Sequence, residues 1–187
     1  SPMRQLIQSS IRFIPWSWRS SIKRLPLIAS AQRAILTRFV EGKEFVHTIN
    51  AGPAQGLLYP VVLPDDKGVW TGNYEIDFVQ ALAAAIEPDS VCFDIGGWRG
   101  YCGGTMGVSG ASRVIIFEPL PENGDRIRRL IELNPSLNIE LVAGAVGAQD
   151  GTANFTVMDA TSMGKLSNSP FQNDAGSETC ISVSVFS

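Results

Sequence analysis

The sequence predicts an α/β fold built on a doubly wound parallel sheet that is incomplete at its C-terminal side. From residue 90 onward, short apolar runs alternate with stretches of helical spacing, in the order strand, helix, strand, helix, strand. A glycine-rich turn follows the first of these strands, as in sheets of this type where a strand passes into a helix. The residues before 90 lack this alternation, so we expect them to form a separate N-terminal part.

Composition limits the classes of protein to which the chain can belong. Its 187 residues are 44% hydrophobic and 18% charged, which suits one globular domain with an appendage. No apolar run approaches the roughly 20 residues needed to span a bilayer. Three widely separated cysteines and one histidine do not suit a structural zinc site. We therefore expect no metal, reduced thiols and a cytoplasmic protein, with peripheral membrane contact as an alternative.

Residues 1–42 are predicted to form a basic amphipathic helical arm. The first forty residues carry seven basic and no acidic side chains, although the whole chain has a net charge of −3. Apolar residues recur at helical spacing near the start, where they would pack on the chain's own domain or on a second copy, or contact a membrane through residues 3–24. The acidic body argues against nucleic acid as a partner.

Residues 43–88 are predicted to form a β-hairpin cap and a lead-in helix. Two short apolar runs, 45–49 and 57–63, are separated by a turn rich in glycine and proline. Residues 64–68 read as a second turn, and residues 74–86 return to helical spacing before a proline ends them. This part would precede the main sheet.

Residues 89–187 are predicted to hold the first part of a ligand-binding domain. Strands are expected at 91–95, 114–118 and 139–142, with helices between them, and further strands at 152–158 and 179–186. Residues 161–166 read as a loop that could cover the site. So few strands would leave one face or edge of an apolar sheet uncovered, and the chain would be a fragment or be completed by a partner.

The turn at residues 96–100, called the bend below, has the chemistry of a ligand site. Its glycines allow close approach to the main chain, and the helix start that follows favours an anionic group. Glu118 lies eighteen residues beyond Gly100, about the interval at which an acid binds a ribose diol. The dinucleotide pattern GxGxxG is absent, and Asp94 would repel a pyrophosphate but could face an amino group. These features favour S-adenosylmethionine over a nicotinamide or flavin dinucleotide.

These residues resemble the FkbM-type branch of class I S-adenosylmethionine-dependent methyltransferases. The resemblance covers roughly residues 43–187 and lies in FDIGGWRG at 93–100, FEPLPEN at 117–123, LN at 133–134, AGAVG at 143–147 and WTGNYE at 70–75. It implies a Rossmann-like domain that methylates a hydroxyl of a sugar, glycolipid or other small molecule. Two departures stand out: Trp98 replaces a small or amide residue and could crowd the pocket, and the family's later strand segment is absent because the chain ends at Ser187.

The same resemblance assigns roles to individual residues. It places the methionine end of the cofactor on Asp94 and on the bend, the ribose on Glu118, and the adenine beside the segments after the second and third strands. The implied cofactor-binding residues are Asp94, Gly96, Gly97, Gly100, Glu118, Leu120, Gly144 and Ala145.

The sequence offers three candidates for a general base that would accept the proton of the acceptor hydroxyl. Glu75 is the first candidate, because Trp70 and Tyr74 beside it could stack on a substrate ring. Favourable charge in the first turn of a helix explains Glu75 equally well. His47 and Asp159 are the other candidates. The alternative function is a truncated, non-catalytic module that docks on a membrane or a partner protein.

Overall fold

A computed structural model describes residues 42–157, 164–166 and 179–187. Contacts divide the chain between Lys43 and Glu44, and the account below concerns the unit that starts at Glu44. The predicted arm, apart from its last position, and Asp159 lie outside the described residues. In the part of the chain that is described, no helix is long and apolar enough to cross a bilayer.

The unit begins with an antiparallel hairpin, as the sequence predicts. Strand β1 (Glu44–Thr48) pairs with strand β2 (Leu58–Val62). Helices α1 (Lys67–Thr71) and α2 (Ile76–Ala84) follow. The sequence does not predict α1, since its first residues belong to a run of Pro, Asp and Gly that reads as a turn.

The predicted parallel sheet is confirmed. Strands β3 (Val91–Ile95), β4 (Arg113–Phe117) and β5 (Ile139–Val142) lie in that order and are all parallel. Helices α3 (Tyr101–Val108) and α4 (Pro121–Leu133) connect them. This β-α-β-α-β arrangement is an α/β, Rossmann-like fold.

The two faces of this sheet have different surroundings. On the covered face, Val114 and Ile116 are fully buried and pack with Ile127 of α4 and Met106 of α3. On the open face, Val91, Phe93 and Ile95 are each more than half exposed. The alternation follows from the period of two along a strand. Among the described residues, the uncovered apolar face expected from the strand count is therefore present.

The remaining strands form a second, mixed sheet. Its members are β6 (Ala145–Val146), β7 (Gly151–Val157), β8 (Gly164–Leu166) and β9 (Thr179–Phe186), in the order β6-β9-β7-β8. Strand β9 is parallel to β6 and antiparallel to β7. The loop predicted at 161–166 is wrong in part, because residues 164–166 pair with β7 as a strand.

The hairpin shares its core with the helices of the parallel sheet. Leu57, Tyr59 and Val61 are fully buried in one cluster with Tyr101 of α3 and Leu130 of α4. The Asn134 amide adds a polar link to this cluster. Its Oδ1 accepts from the Leu58 amide at 3.0 Å, and its Nδ2 donates to the Leu58 and Leu130 carbonyls at 2.8 and 2.7 Å. The hairpin is thereby fixed to the C-terminal end of α4.

Candidate functional site

The bend is held against the end of β4 by its own backbone. The Gly96 and Gly97 amides both donate to the Phe117 carbonyl, at 2.9 and 3.1 Å. Gly100 caps α3 with a φ of +80°, and a Cβ there would lie 2.9 Å from Leu130. A Cβ on Gly97 would overlap Ile116. The glycines therefore serve the close contact between bend and strand as well as the turn itself.

Glu118 points at the bend, as its spacing in the sequence predicts. Its Oε2 accepts from the Trp98 amide at 2.8 Å, while Oε1 accepts from the Leu120 amide at 2.9 Å and from Asn123 Nδ2 at 3.3 Å. The side chain is buried. Burial raises the pKa of Glu118 above its ordinary value, although these three hydrogen bonds oppose the change.

Asp94 lies on the covered side of β3, next to the start of α3. Its Oδ2 is buried and has no hydrogen-bond partner among the described residues. Burial raises the pKa of this carboxyl, and a hydrogen bond from the Gly103 backbone partly offsets the increase. Asp94 is thus a carboxylate with a free acceptor, two residues before the bend.

The structure places the Trp98 indole beside two other side chains. It stacks on the Tyr74 ring at a centroid distance of 5.8 Å, and the Arg99 guanidinium carbon lies 4.9 Å from the indole centroid. Trp98 has a φ of +48°, in the left-handed region that non-glycine residues rarely adopt. Its contact with Glu118 is made by the backbone amide.

A cavity of about 260 Å³ adjoins Glu118. Its walls come from the segment after β4, from the end of β5 and from β9, and include Leu120, Ala143 and Val183. Of the residues expected beside an adenine, Leu120 lines this cavity. Gly144 is instead packed against Phe186 and the Ser184 carbonyl, and Ala145 is buried in the core beside β9.

The substrate and base candidates separate into two groups. Tyr74 lies near the bend, with its ring 5.4 Å from that of Tyr101, and Glu75 precedes α2 with a left-handed φ of +38°. Glu75 makes no side-chain capping hydrogen bond and is exposed. Trp70 packs edge-on against Phe45 at 5.9 Å and belongs to the hairpin core. The structure therefore brings Tyr74, but not Trp70, into contact with a residue of the bend.

Negative charge gathers around the start of α3. Burial raises the pKa of Cys102 to about 12, and the charges of Asp94 and Glu75 add to this increase. The pKa of Tyr74 is raised to about 12, again by burial first and then by Glu75. Both groups are consequently neutral at pH 7.

The described residues contain no group of three or more His, Cys, Asp or Glu side chains that could hold a metal ion.

The sequence does not predict an ion-pair network beside the bend, which is centred on the fully buried Asp66. Arg99, which is 6% exposed, donates to Asp65 Oδ2 at 2.7 Å and to Asp66 Oδ1 at 2.9 Å. Arg126 donates to Asp66 Oδ2 at 2.8 Å, so it belongs to this network and not to the solvated cationic face that its helix position suggests. The partners are 33 to 60 residues apart, and no local pattern links them.

Comparison with known proteins gives partial similarities. No family model matches the chain. The tryptophan synthase alpha chain of Mycobacterium intracellulare is 25% identical over 112 residues, which is 57% of this chain and 41% of that protein. The corresponding protein of Mycobacterium avium (strain 104) is 27% identical over 112 residues, again 57% of this chain and 41% of that protein. The chain thus spans about two fifths of the length of the curated relatives it matches.

Similar solved structures are named as methyltransferases or their relatives. TYW2 of P. horikoshii, in complex with MeSAdo, has a TM-score of 0.44 and 16% identity, with 69% of this chain and 50% of that chain covered. A SAM-dependent methyltransferase from Agrobacterium tumefaciens has a TM-score of 0.38 and 13% identity, with 56% and 33% covered. None of these likenesses assigns the chain to a family. The functional inference below is therefore drawn from the geometry of the bend and of Glu118.

Proposed function

We propose that the chain is an S-adenosylmethionine-dependent methyltransferase that methylates a hydroxyl of a sugar, glycolipid or other small molecule. One observation carries the proposal: a buried carboxylate after β4, Glu118, is directed at the glycine bend after β3. The FkbM-type motifs support the same conclusion, because they include both of these segments.

The residues present fit this cofactor. A carboxylate offers about four acceptor positions, and three described donors occupy Glu118, which leaves room for a ribose hydroxyl. Asp94 is a carboxylate with a buried oxygen two residues before the bend, and its charge suits the ammonium group of the cofactor. The cavity lined by Leu120 suits one ring system of a larger ligand, since whole ligand pockets are about 300–1,000 Å³.

In the proposed mechanism, these residues align the methyl donor with the acceptor oxygen. When bound, S-adenosylmethionine supplies an activated methyl group, which is transferred from sulfur to the acceptor oxygen. Glu118 orients the ribose of the cofactor, Asp94 holds its amino group, and Leu120 excludes water from its adenine. Glu75 accepts the proton of the acceptor hydroxyl, and Tyr74 contacts the acceptor. Gly144 and Ala145 follow Ala143, which lines the cavity, and they would contact the adenine from beside it.

Calorimetry with S-adenosylhomocysteine tests the proposal. The wild-type chain is expected to bind, and Glu118→Gln to bind at least about tenfold more weakly, because a hydrogen bond to a charged group contributes about 1.5–3 kcal/mol. Glu122→Gln is the matched control, since Glu122 is an exposed acid four residues away. Equal affinities of the wild type and of both variants would contradict the role of Glu118.

The pH dependence of binding sharpens this test. A ribose hydroxyl would donate to the ionised form of Glu118, and burial raises the pKa of Glu118 above the ordinary 4.5. Affinity should therefore increase as pH rises from 4.5 through the raised pKa, and then level off. Glu118→Gln should lose the part of this dependence that Glu118 contributes, and the part contributed by Asp94, whose pKa burial also raises, should remain. A wild-type affinity that is flat across this range would argue against ribose binding by Glu118.

A non-catalytic docking module is the second candidate, and the exposed apolar side chains of Val91, Phe93 and Ile95 favour it. Such a module would not bind S-adenosylhomocysteine. Removal of residues 1–40 should abolish liposome sedimentation only if residues 3–24 contact a membrane. A homo-oligomer is the remaining partner proposal, and analytical ultracentrifugation would detect it.

A further inference from the structure

The ion-pair network beside the bend is built around Asp66. This side chain is fully buried, and its two oxygens accept three hydrogen bonds: from Arg99 at 2.9 Å, from Arg126 at 2.8 Å and from the Val62 amide at 2.7 Å. A carboxylate can be buried as an anion only when it is paired and hydrogen-bonded in this way. Asp66 therefore ties the end of the hairpin to α4 and to the bend.

Arg99 is the member of the network that belongs to the bend. Its guanidinium bridges Asp65 and Asp66 through separate nitrogens and also lies over the Trp98 indole. A planar fork held by two carboxylates has little rotational freedom. The position of Arg99 is consequently set by residues outside the bend, and it limits the positions open to the neighbouring Trp98.

Trp98 needs such support because its backbone is strained. The left-handed region is unfavourable for a non-glycine residue, so surrounding contacts must hold Trp98 there. In this conformation the Trp98 amide donates to Glu118 Oε2 at 2.8 Å. A relaxed Trp98 backbone would turn that amide away from the carboxylate.

We propose that Asp65 and Asp66 are positioning residues, which act through Arg99 to hold the bend in the conformation that orients Glu118. This inference rests on the proposed function, because it assigns Glu118 to the ligand. It adds a role for the hairpin segment, which supplies no ligand contact of its own in the mechanism above. The alternative is that the network stabilises the fold without affecting the site.

Hydrogen exchange without ligand tests the positioning directly. Asp65→Asn is the best variant, since the Asp65 side chain is 53% exposed and its loss should leave the protein folded. Exchange at the Trp98 amide should accelerate about fivefold or more, because local opening needs less free energy once Arg99 is loosened. The Val114 amide, bonded to the Asn138 carbonyl in the sheet, should not change.

Affinity for S-adenosylhomocysteine gives the second readout, measured well below the melting temperature. Asp65→Asn should raise Kd about three- to tenfold. Glu140→Gln removes the exposed Arg113–Glu140 pair and serves as the matched control, with Kd and Trp98 exchange both unchanged. Arg99→Lys, which keeps the charge but not the fork, should behave like Asp65→Asn.

The outcomes separate the two proposals. If the wild type does not bind S-adenosylhomocysteine, the proposed function fails, and the exchange experiment still decides whether Asp65 positions the bend. If Trp98 exchange and Kd in Asp65→Asn both equal those of the wild type, the positioning role is wrong. A loss of stability without either change would assign the network to the fold alone.

Discussion

The covered and open faces of the parallel sheet differ in how closely they are packed. On the covered face, a Cβ added at Gly97 or Gly103 would overlap Ile116, so helix and strand meet at the limit of contact. On the open face, Phe93 is 59% exposed although its ring stacks on Phe117 at 6.4 Å. The position of the bend therefore depends on the covered face, where packing tolerates little change.

The largest expected effect is at Asp66, beside the covered face. Asp66→Ala should reduce the free energy of unfolding by about 3–5 kcal/mol, because it leaves the buried Arg99 and the partly buried Arg126 without their shared acid. Denaturant unfolding followed by circular dichroism measures the change. Glu140→Ala, which breaks an exposed pair, should have a much smaller effect, because solvent screens that pair. Equal losses in the two variants would contradict this difference.

A smaller effect is expected where α3 meets β4. Gly103→Ala should destabilise the protein by about 1–3 kcal/mol, because the new methyl group collides with the buried Ile116. Gly124→Ala in α4 is the control: its methyl group would lie 3.6 Å from Leu141, at ordinary contact distance. That variant should gain up to about 1 kcal/mol from helix propensity. Thermal unfolding of both variants shows whether the loss of stability comes from close packing at Gly103 or from replacing any helical glycine.

The smallest effect is expected on the open face. Phe93→Ser should change the free energy of unfolding by about 1 kcal/mol or less, since only an exposed ring contact is lost. The variant should also aggregate less, because it removes part of an apolar patch. Ile116→Ala on the covered face should cost about 2–5 kcal/mol. A comparable loss in Phe93→Ser would mean that the open face is buried in solution, and light scattering would then distinguish burial by a second copy from burial within one chain.

The sequence was sufficient to predict the parts of the fold that local periodicity determines. The strands that became β3, β4 and β5 are short apolar runs, and α4 shows a clear stripe that includes Ile127 and Leu130. The meeting of Glu118 with the bend was also predictable. Adjacent parallel strands end at the same edge of the sheet, so a spacing in sequence becomes a proximity in space.

Other features depend on contacts that no local pattern encodes. The pairing of Arg99 with Asp66 joins a bend to a turn through tertiary packing alone. Strand β8 was predicted as a loop because three residues are too few to show a strand period, and its pairing with β7 decides its structure. The contacts of the Trp98 indole could not be predicted either, since Tyr74 reaches it from before the first parallel strand.

The Asn134 link also bears on the order in which the molecule can be assembled. Its amide joins Leu58 across 76 positions of the chain, so the hairpin is translated long before the helix end that completes its core. A chain growing from its N-terminus would carry Leu57 and Tyr59 without their partner Leu130 during that interval. We therefore expect the nascent hairpin to gain resistance to protease only after Asn134 has left the ribosome.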